Sequence, residues 1–249
     1  MKRVIVFIFI LISFRLSAQK GETVLGQFVS PSGDSLPYQL HFSSAIDTTK
    51  KYPLIIWLHG KGERGVDNEK QIHWIKNWLF DSLELSNYKS FVLSPQCSKT
   101  EVWSNYDKTA EAIKYDTITP EIQKTLINLI DEVVVNYPID SNRIYMMGIS
   151  MGGFGVFDLI TRYPDRFAAA IPVCGGADPN KTESLLKTPI WAFHGEVDEI
   201  VDKRHTLVPM EKIKDEQHLL TIYKGTNHNA WIKAFKEKDL LRWMFQQKN

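Results

Sequence analysis

Six short stretches of this chain are apolar at nearly every position, and each is bounded by glycine, proline or polar residues. They fall near Leu54–Leu58, Phe91–Ser94, Ile144–Met147, Ala168–Val173, Ile190–His194 and Leu219–Tyr223. Runs this short, without alternation of polar residues, predict strands buried on both faces. Longer segments between them carry apolar residues at helical spacing, near Pro120–Asn136, Met151–Arg162, His205–Lys214 and Ala230–Gln247. Strands alternating with helices predict an α/β domain, with a mostly parallel central sheet and helices on both faces. Ahead of them, Glu22–Val29 and Leu36–Phe42 flank the turn residues Pro31-Ser32-Gly33-Asp34 and read as an antiparallel pair. Thr119-Pro120-Glu121 predicts a helix start, with the Thr119 hydroxyl as cap and Pro120 at the first helical position. Two stretches are less regular. Asp67–Tyr88 holds Trp74 and Trp78 four apart, the spacing of a buried helix face, and Gln96–Thr119 reads as a long polar loop.

The chemistry sits at the ends of the predicted strands. Gly148-Ile149-Ser150-Met151-Gly152 joins the strand ending at Met147 to the helix ending near Arg162. A serine with glycine two residues away on each side suits a sharp strand-to-helix turn, which holds the hydroxyl out at the top of the sheet. A serine hydroxyl needs a base to take its proton and a third group to orient that base. Asp198 follows the strand ending in His194-Gly195, with Glu196, Glu199 and Asp202 as local rivals. His228 follows the last strand and precedes the last helix. The order Ser, Asp, His places all three after successive strands on one side of the sheet. The glycine-rich turn His59-Gly60-Lys61-Gly62 can aim backbone N–H groups at the same point, and the amides of Lys61 and Met151 are the expected oxyanion donors. Trp103 in the polar loop and Trp231 beside His228 are candidate substrate-binding surfaces; Trp103 reads equally as a pin for its loop.

Taken together, Leu58-His59-Gly60-Lys61-Gly62-Glu63-Arg64-Gly65, Ser94-Pro95-Gln96-Cys97, Gly148-Ile149-Ser150-Met151-Gly152-Gly153, Ile171-Pro172-Val173-Cys174-Gly175-Gly176 and Gly225-Thr226-Asn227-His228 resemble the α/β-hydrolase superfamily. Within it, the chain is similar to dienelactone-hydrolase and polyhydroxybutyrate-depolymerase-like esterases, a group that includes proteins labelled predicted peptidases. The resemblance runs from about Tyr52 to the C-terminus. It implies the α/β-hydrolase fold and ester hydrolysis by Ser150, Asp198 and His228, without metal or organic cofactor. Asn227 departs from the pattern, since a smaller residue, often glycine, commonly precedes the histidine. Only Gly175–Thr188 lies between two successive strands where a cap is commonly inserted, too short for a large lid.

Lys2 and Arg3 precede the apolar run Val4–Ile12 and the small or polar stretch ending at Ala18. This is the layout of a signal peptide over residues 1–18, leaving one domain over 19–249 and a secreted or periplasmic product. The run is too short to span a bilayer, so no stable membrane association is expected after cleavage. A formal net charge of +1, with no basic block, excludes a nucleic-acid partner of the electrostatic kind. Cys97 and Cys174 are the only cysteines; they read as two buried small hydrophobes or as one bridge. The resulting reading is a serine carboxylesterase acting on small-molecule or carbohydrate esters. A peptidase using the same residues and a non-catalytic binding module are the alternatives.

Overall fold

The computed structural model describes residues 21–43, 46–85, 88–108 and 112–249. The signal-peptide segment 1–18 lies outside the described residues. The strands are β1 (Glu22–Val29), β2 (Ser35–Phe42), β3 (Tyr52–Leu58), β4 (Phe91–Pro95), β5 (Tyr106–Lys108), β6 (Ile113–Tyr115), β7 (Ile139–Ile149), β8 (Ala169–Val173), β9 (Ile190–Gly195) and β10 (His218–Tyr223). The α-helices are α1 (Asp81–Leu85), α2 (Glu121–Asn136), α3 (Met151–Arg162), α4 (Thr182–Leu185), α5 (Arg204–Lys212), α6 (Trp231–Ala234) and α7 (Leu240–Gln246). The main sheet runs in the order β1-β2-β4-β3-β7-β8-β9-β10. Its first pairings, β1 with β2 and β2 with β4, are antiparallel, and those from β4 onward are parallel.

Both faces of this sheet are covered, which is why the central strands carry no polar alternation. Leu54, Ile56 and Leu58 of β3 join Ile144 and Met146 of β7 in one core, against Leu126, Leu129 and Ile130 of α2 and Phe157 of α3. Ile55 and Trp57 join Tyr145 and Met147 in the other, against Ile75, Leu79, Phe235 and Met244. Successive residues point to opposite faces, so each strand feeds both cores. Trp74 and Trp78 lie on the second face: Trp74 meets the edge of Trp231, and Trp78 stacks on Phe235 with centroids 4.3 Å apart.

Three local expectations are corrected. Pro120 is the N-cap of α2 rather than its first helical residue, and the helix has no side-chain cap. The Thr119 hydroxyl instead accepts from the Arg162 guanidinium at 3.3 Å. The final helix is broken into α6 and α7, because the 235–239 segment turns to stack Phe235 on Trp78 and to let Glu237 accept the Tyr223 hydroxyl at 2.7 Å. The 96–119 stretch is not wholly loop: β5 and β6 pair as an antiparallel hairpin, Tyr106 opposite Tyr115 and Lys108 opposite Ile113. Between β8 and β9, the helix α4 has four residues, so no helical cover of any size arises there.

Candidate active site

The strand β7 delivers Ser150 directly to the first turn of α3. Ser150 has φ 50° and ψ −115°, a conformation that costs a non-glycine residue about 1–3 kcal/mol. The surroundings over-determine it. Its N–H donates to the Val173 carbonyl at 2.8 Å, and its own carbonyl accepts from Phe154 at 3.1 Å. The flanking glycines explain the tightness. A Cβ at Gly148 would lie 2.6 Å from the Gly152 carbonyl oxygen, and one at Gly152 would overlap the Leu58 carbonyl outright. The absence of side chains lets the end of β3 and the start of α3 press together around the serine.

A third glycine joins the acid and the histidine. A Cβ on Gly195 would overlap the carbonyls of Thr226 and Asn227. Because it is glycine, the loop after β10 packs on the end of β9, and Val197 N–H donates to Thr226 O at 3.0 Å. The side-chain carbonyl of Asn227 then accepts from the amides of His228 (2.7 Å) and Glu199 (3.1 Å). The departure at position 227 therefore has a structural use: it ties the two loops together.

These loops bring the three expected side chains into one hydrogen-bonded chain. His228 Nε2 lies 2.9 Å from Ser150 Oγ, and His228 Nδ1 lies 2.8 Å from Asp198 Oδ2. Of the rival acids, Glu199 is exposed and the other two are engaged elsewhere. Glu196 accepts the Gly225 amide, and Asp202 pairs with Arg204 at 2.6 Å. The Asp198 side chain is fully buried, and its Oδ1 accepts from the amides of Ile200 and Val201, both at 2.9 Å. Burial pushes its pKa up. Hydrogen bonds from His194, His228, Val201 and Ile200 outweigh that and hold the carboxyl ionised far below the usual range. With His228 Nδ1–H donating to this carboxylate, Nε2 faces the serine as an acceptor, the arrangement that abstracts a hydroxyl proton.

The turn after β3 is fixed by His59. Its Nδ1–H donates to Gly60 O at 2.6 Å, and its Nε2 accepts the Cys97 amide at 3.0 Å. Burial pushes the His59 pKa down to about 4, so the ring stays neutral with this tautomer. Lys61 opens the 3-10 turn Lys61–Glu63 and Met151 opens α3. Neither amide therefore has an acceptor within its own helix. Lys61, Ser150 and Met151 all line one open cleft of about 820 Å³. Its far wall is the β5–β6 hairpin, including Tyr106 and Tyr115, and its near rim includes Ile200 and Val201. Tyr106 stacks on Phe154 of α3 with centroids 4.6 Å apart, and Tyr115 donates to Gly176 O at 2.9 Å.

The two tryptophans are not cleft surfaces. Trp103 is fully buried, with its Cβ against Gly155 and its indole N–H donating to His59 O at 3.1 Å. It pins the loop, because α3 is too close to leave the ring a path outward. Trp231 is buried edge-on against His228 and Trp74, and backs the imidazole from behind. The sequence did not single out Asp158, which is fully buried in α3. Asp158 accepts from Ser104 (2.7 Å), Gln123 (2.8 Å) and Arg162 (2.7 Å), and so holds the loop that carries the cleft wall. Burial raises its pKa against these bonds. A buried acid sandwiched between helices has no motif of its own, so only its apolar neighbours hint at it.

Cys97 and Cys174 are both free and buried; the strands that precede them, β4 and β8, are separated by β3 and β7. Cys174, at φ 50°, lies with Asp198 and His228 such that their ligating atoms fall within 4.8 Å of one another. Burial, with Asp198 alongside, pushes its thiol up to about 12, so it stays protonated.

A profile of the phospholipase/carboxylesterase family matches residues 43–239. The chain belongs to this family. Its fold is that of the α/β-hydrolases. A solved thermostable esterase superposes with a TM-score of 0.78 at 31% identity, covering 91% of this chain and 63% of that one. A feruloyl esterase module from Clostridium thermocellum shares the fold, with a TM-score of 0.69 at 16% identity, over 94% of this chain and 91% of that one. Among sequence relatives, a bifunctional acetylxylan esterase/xylanase of Neocallimastix patriciarum is 21% identical over 72% of this chain and 24% of its own length. A poly(3-hydroxyalkanoate) depolymerase of Paucimonas lemoignei is 29% identical over 50% of this chain and 28% of its own. A probable carboxylesterase of Arabidopsis thaliana is 30% identical over 59% of this chain and 60% of its own. The chain thus spans between a quarter and three-fifths of the length of these relatives.

Proposed function

We propose that this chain is an exported serine carboxylesterase that hydrolyses esters on small molecules or carbohydrates through an acyl-enzyme. The observation that carries this reading is the chain Ser150 Oγ, His228 Nε2, Asp198 Oδ2 at a strained turn opening onto the cleft. His228 takes the Ser150 proton as Oγ attacks the ester carbonyl. The tetrahedral oxyanion lies on the amides of Lys61 and Met151, and negative charge developing there is stabilised by donors already in place. His228 returns the proton to the leaving alcohol, then activates the water that releases the acid and restores the serine. Export is supported by the basic start and apolar run of residues 1–18, ahead of a domain over residues 19–249. A carbohydrate ester is supported by the named activities of the acetylxylan esterase and feruloyl esterase relatives.

The test is a panel of acetyl, butyryl and palmitoyl esters, acetylated and feruloylated saccharides, and peptides. Turnover of short acyl or saccharide esters, lost in Ser150→Ala, supports the reading. Hydrolysis of peptides without esters, or palmitoyl preference with a jump in rate at the aggregation threshold, overturns it in favour of a peptidase or a lipase.

A further inference from the structure

A second imidazole touches the same carboxylate. His194 is the penultimate residue of β9 and is fully buried. Its Nε2 lies 3.2 Å from Asp198 Oδ2 and 3.0 Å from the Val201 carbonyl. Both are acceptors only, so Nε2 carries the hydrogen. On the other side of the ring, the Thr206 hydroxyl on α5 lies 2.8 Å from Nδ1 and 2.9 Å from Gly175 O at the end of β8, so its one hydrogen is divided between two acceptors. A histidine serving only to close the loop needs the Val201 carbonyl alone. This one reaches the carboxylate as well, and is itself oriented by a hydroxyl from another element.

We infer that His194 is a positioning residue for hydrolysis, sharing Asp198 Oδ2 with His228 and fixing the carboxylate that orients it. The inference rests on the Ser150-His228-Asp198 reading. Asp198 then has two amides on Oδ1, His228 hydrogen-bonded to Oδ2, and against the same Oδ2 the His194 Nε2–H that it shares with the Val201 carbonyl, and together these contacts hold the side chain in one orientation. Sharing has a second effect. The N–H of His194 takes up part of the charge on Oδ2, so the carboxylate stabilises a protonated His228 less than an undivided one would. The other titratable groups around this ring are His205 on α5, which couples to it directly, and Cys174 and His228, which meet the same Asp198 carboxylate. Among the described side chains, the neutral Thr206 hydroxyl hydrogen-bonds to it and the Asp198 carboxylate lies 3.2 Å from its Nε2.

The experiment compares His194→Phe, His194→Gln and Thr206→Val with the wild type, using a soluble short-chain ester and a full pH–rate profile. His194→Phe keeps the volume and removes the donor; His194→Gln puts an N–H donor back at the same backbone position. The expected result for His194→Phe is a kcat about tenfold or more lower, at a KM within about twofold. Its acid limb moves to higher pH by about half a unit to one unit, because Asp198 then acts on His228 undivided. His194→Gln recovers most of the kcat and returns the limb, and Thr206→Val shifts it in the same direction by less. A folded His194→Phe with the wild-type kcat and limb overturns the inference, as does an equal loss in His194→Phe and His194→Gln with no movement of the limb. If His194→Phe does not fold, Thr206→Val decides: an unmoved limb overturns the inference, and an upward shift supports it. Labelling of wild-type Ser150 by a fluorophosphonate separates the two levels. No labelling overturns the triad and this inference together, whereas labelling with an unmoved limb overturns the inference alone.

Discussion

Asn227 reaches across to Glu199, and its side-chain carbonyl accepts the Glu199 amide at 3.1 Å while also accepting that of its own neighbour, His228, at 2.7 Å. One amide side chain thus fixes the spacing between the loop carrying Asp198 and the loop carrying His228. Asn227→Ala removes both bonds but leaves every triad side chain in place. The expected outcome is a kcat about three- to thirtyfold lower and a stability loss of about 1 kcal/mol. Steady-state kinetics with urea unfolding checks it; an unchanged kcat means the loops are held by their backbone bonds alone.

The glycines of the two conspicuous motifs are not equivalent. Gly152 backs directly onto the Leu58 carbonyl, while a Cβ on Gly62 would meet nothing within 4 Å. Gly152→Ala is therefore expected to cost upwards of ~3 kcal/mol, since backbone rather than a flexible side chain has to move. Gly62→Ala is expected to stay within about 0.5 kcal/mol of the wild type. Urea midpoints of the two variants test the contrast, and a tolerated Gly152→Ala contradicts the account of the turn.

Much of this was legible in the sequence, and the reasons are local. The central strands show as apolar runs because both sheet faces are covered; Ser150 and Asp198 show because each follows such a run beside a glycine that a close backbone approach demands, and His228 because it follows the last run just after Gly225, whose φ of 63° marks a turn. The features without a local signal depend on partners distant in sequence. The hairpin of β5 and β6 has three-residue strands, too short for an alternation to register. The break between α6 and α7 carries no glycine or proline; it is set by Trp78, far upstream, and by Tyr223 in the preceding strand. Trp103 looked like a rim aromatic because its neighbours are polar, yet Gly155 opens a slot in α3 that takes it inside. Thr119 looked like a cap, but Arg162 uses its hydroxyl.

The burial and bonding of Asp198 also predict a pH dependence of stability. Its folded-state pKa lies below the unfolded value of about 3.9. Its ionisation therefore stabilises the fold at pH values above that, and the contribution is lost as pH falls below it. Asp198→Asn removes the contribution. The stability difference between wild type and Asp198→Asn should be on the order of 2 kcal/mol at pH 7 and should shrink steadily from about pH 5 downward. Denaturant unfolding of both proteins across that range checks it; a difference independent of pH shows that the carboxylate's charge is not what these donors hold.

The most direct measurement is the site of covalent modification by a fluorophosphonate, read by mass spectrometry of the intact protein and its peptides. Ser150 lies at a strained turn with His228 Nε2 2.9 Å from its hydroxyl oxygen. The account predicts one phosphonyl group per chain, on Ser150, with ester hydrolysis lost in proportion to labelling and neither labelling nor hydrolysis in Ser150→Ala. Modification at another residue, or ester hydrolysis surviving in a folded Ser150→Ala, would contradict it.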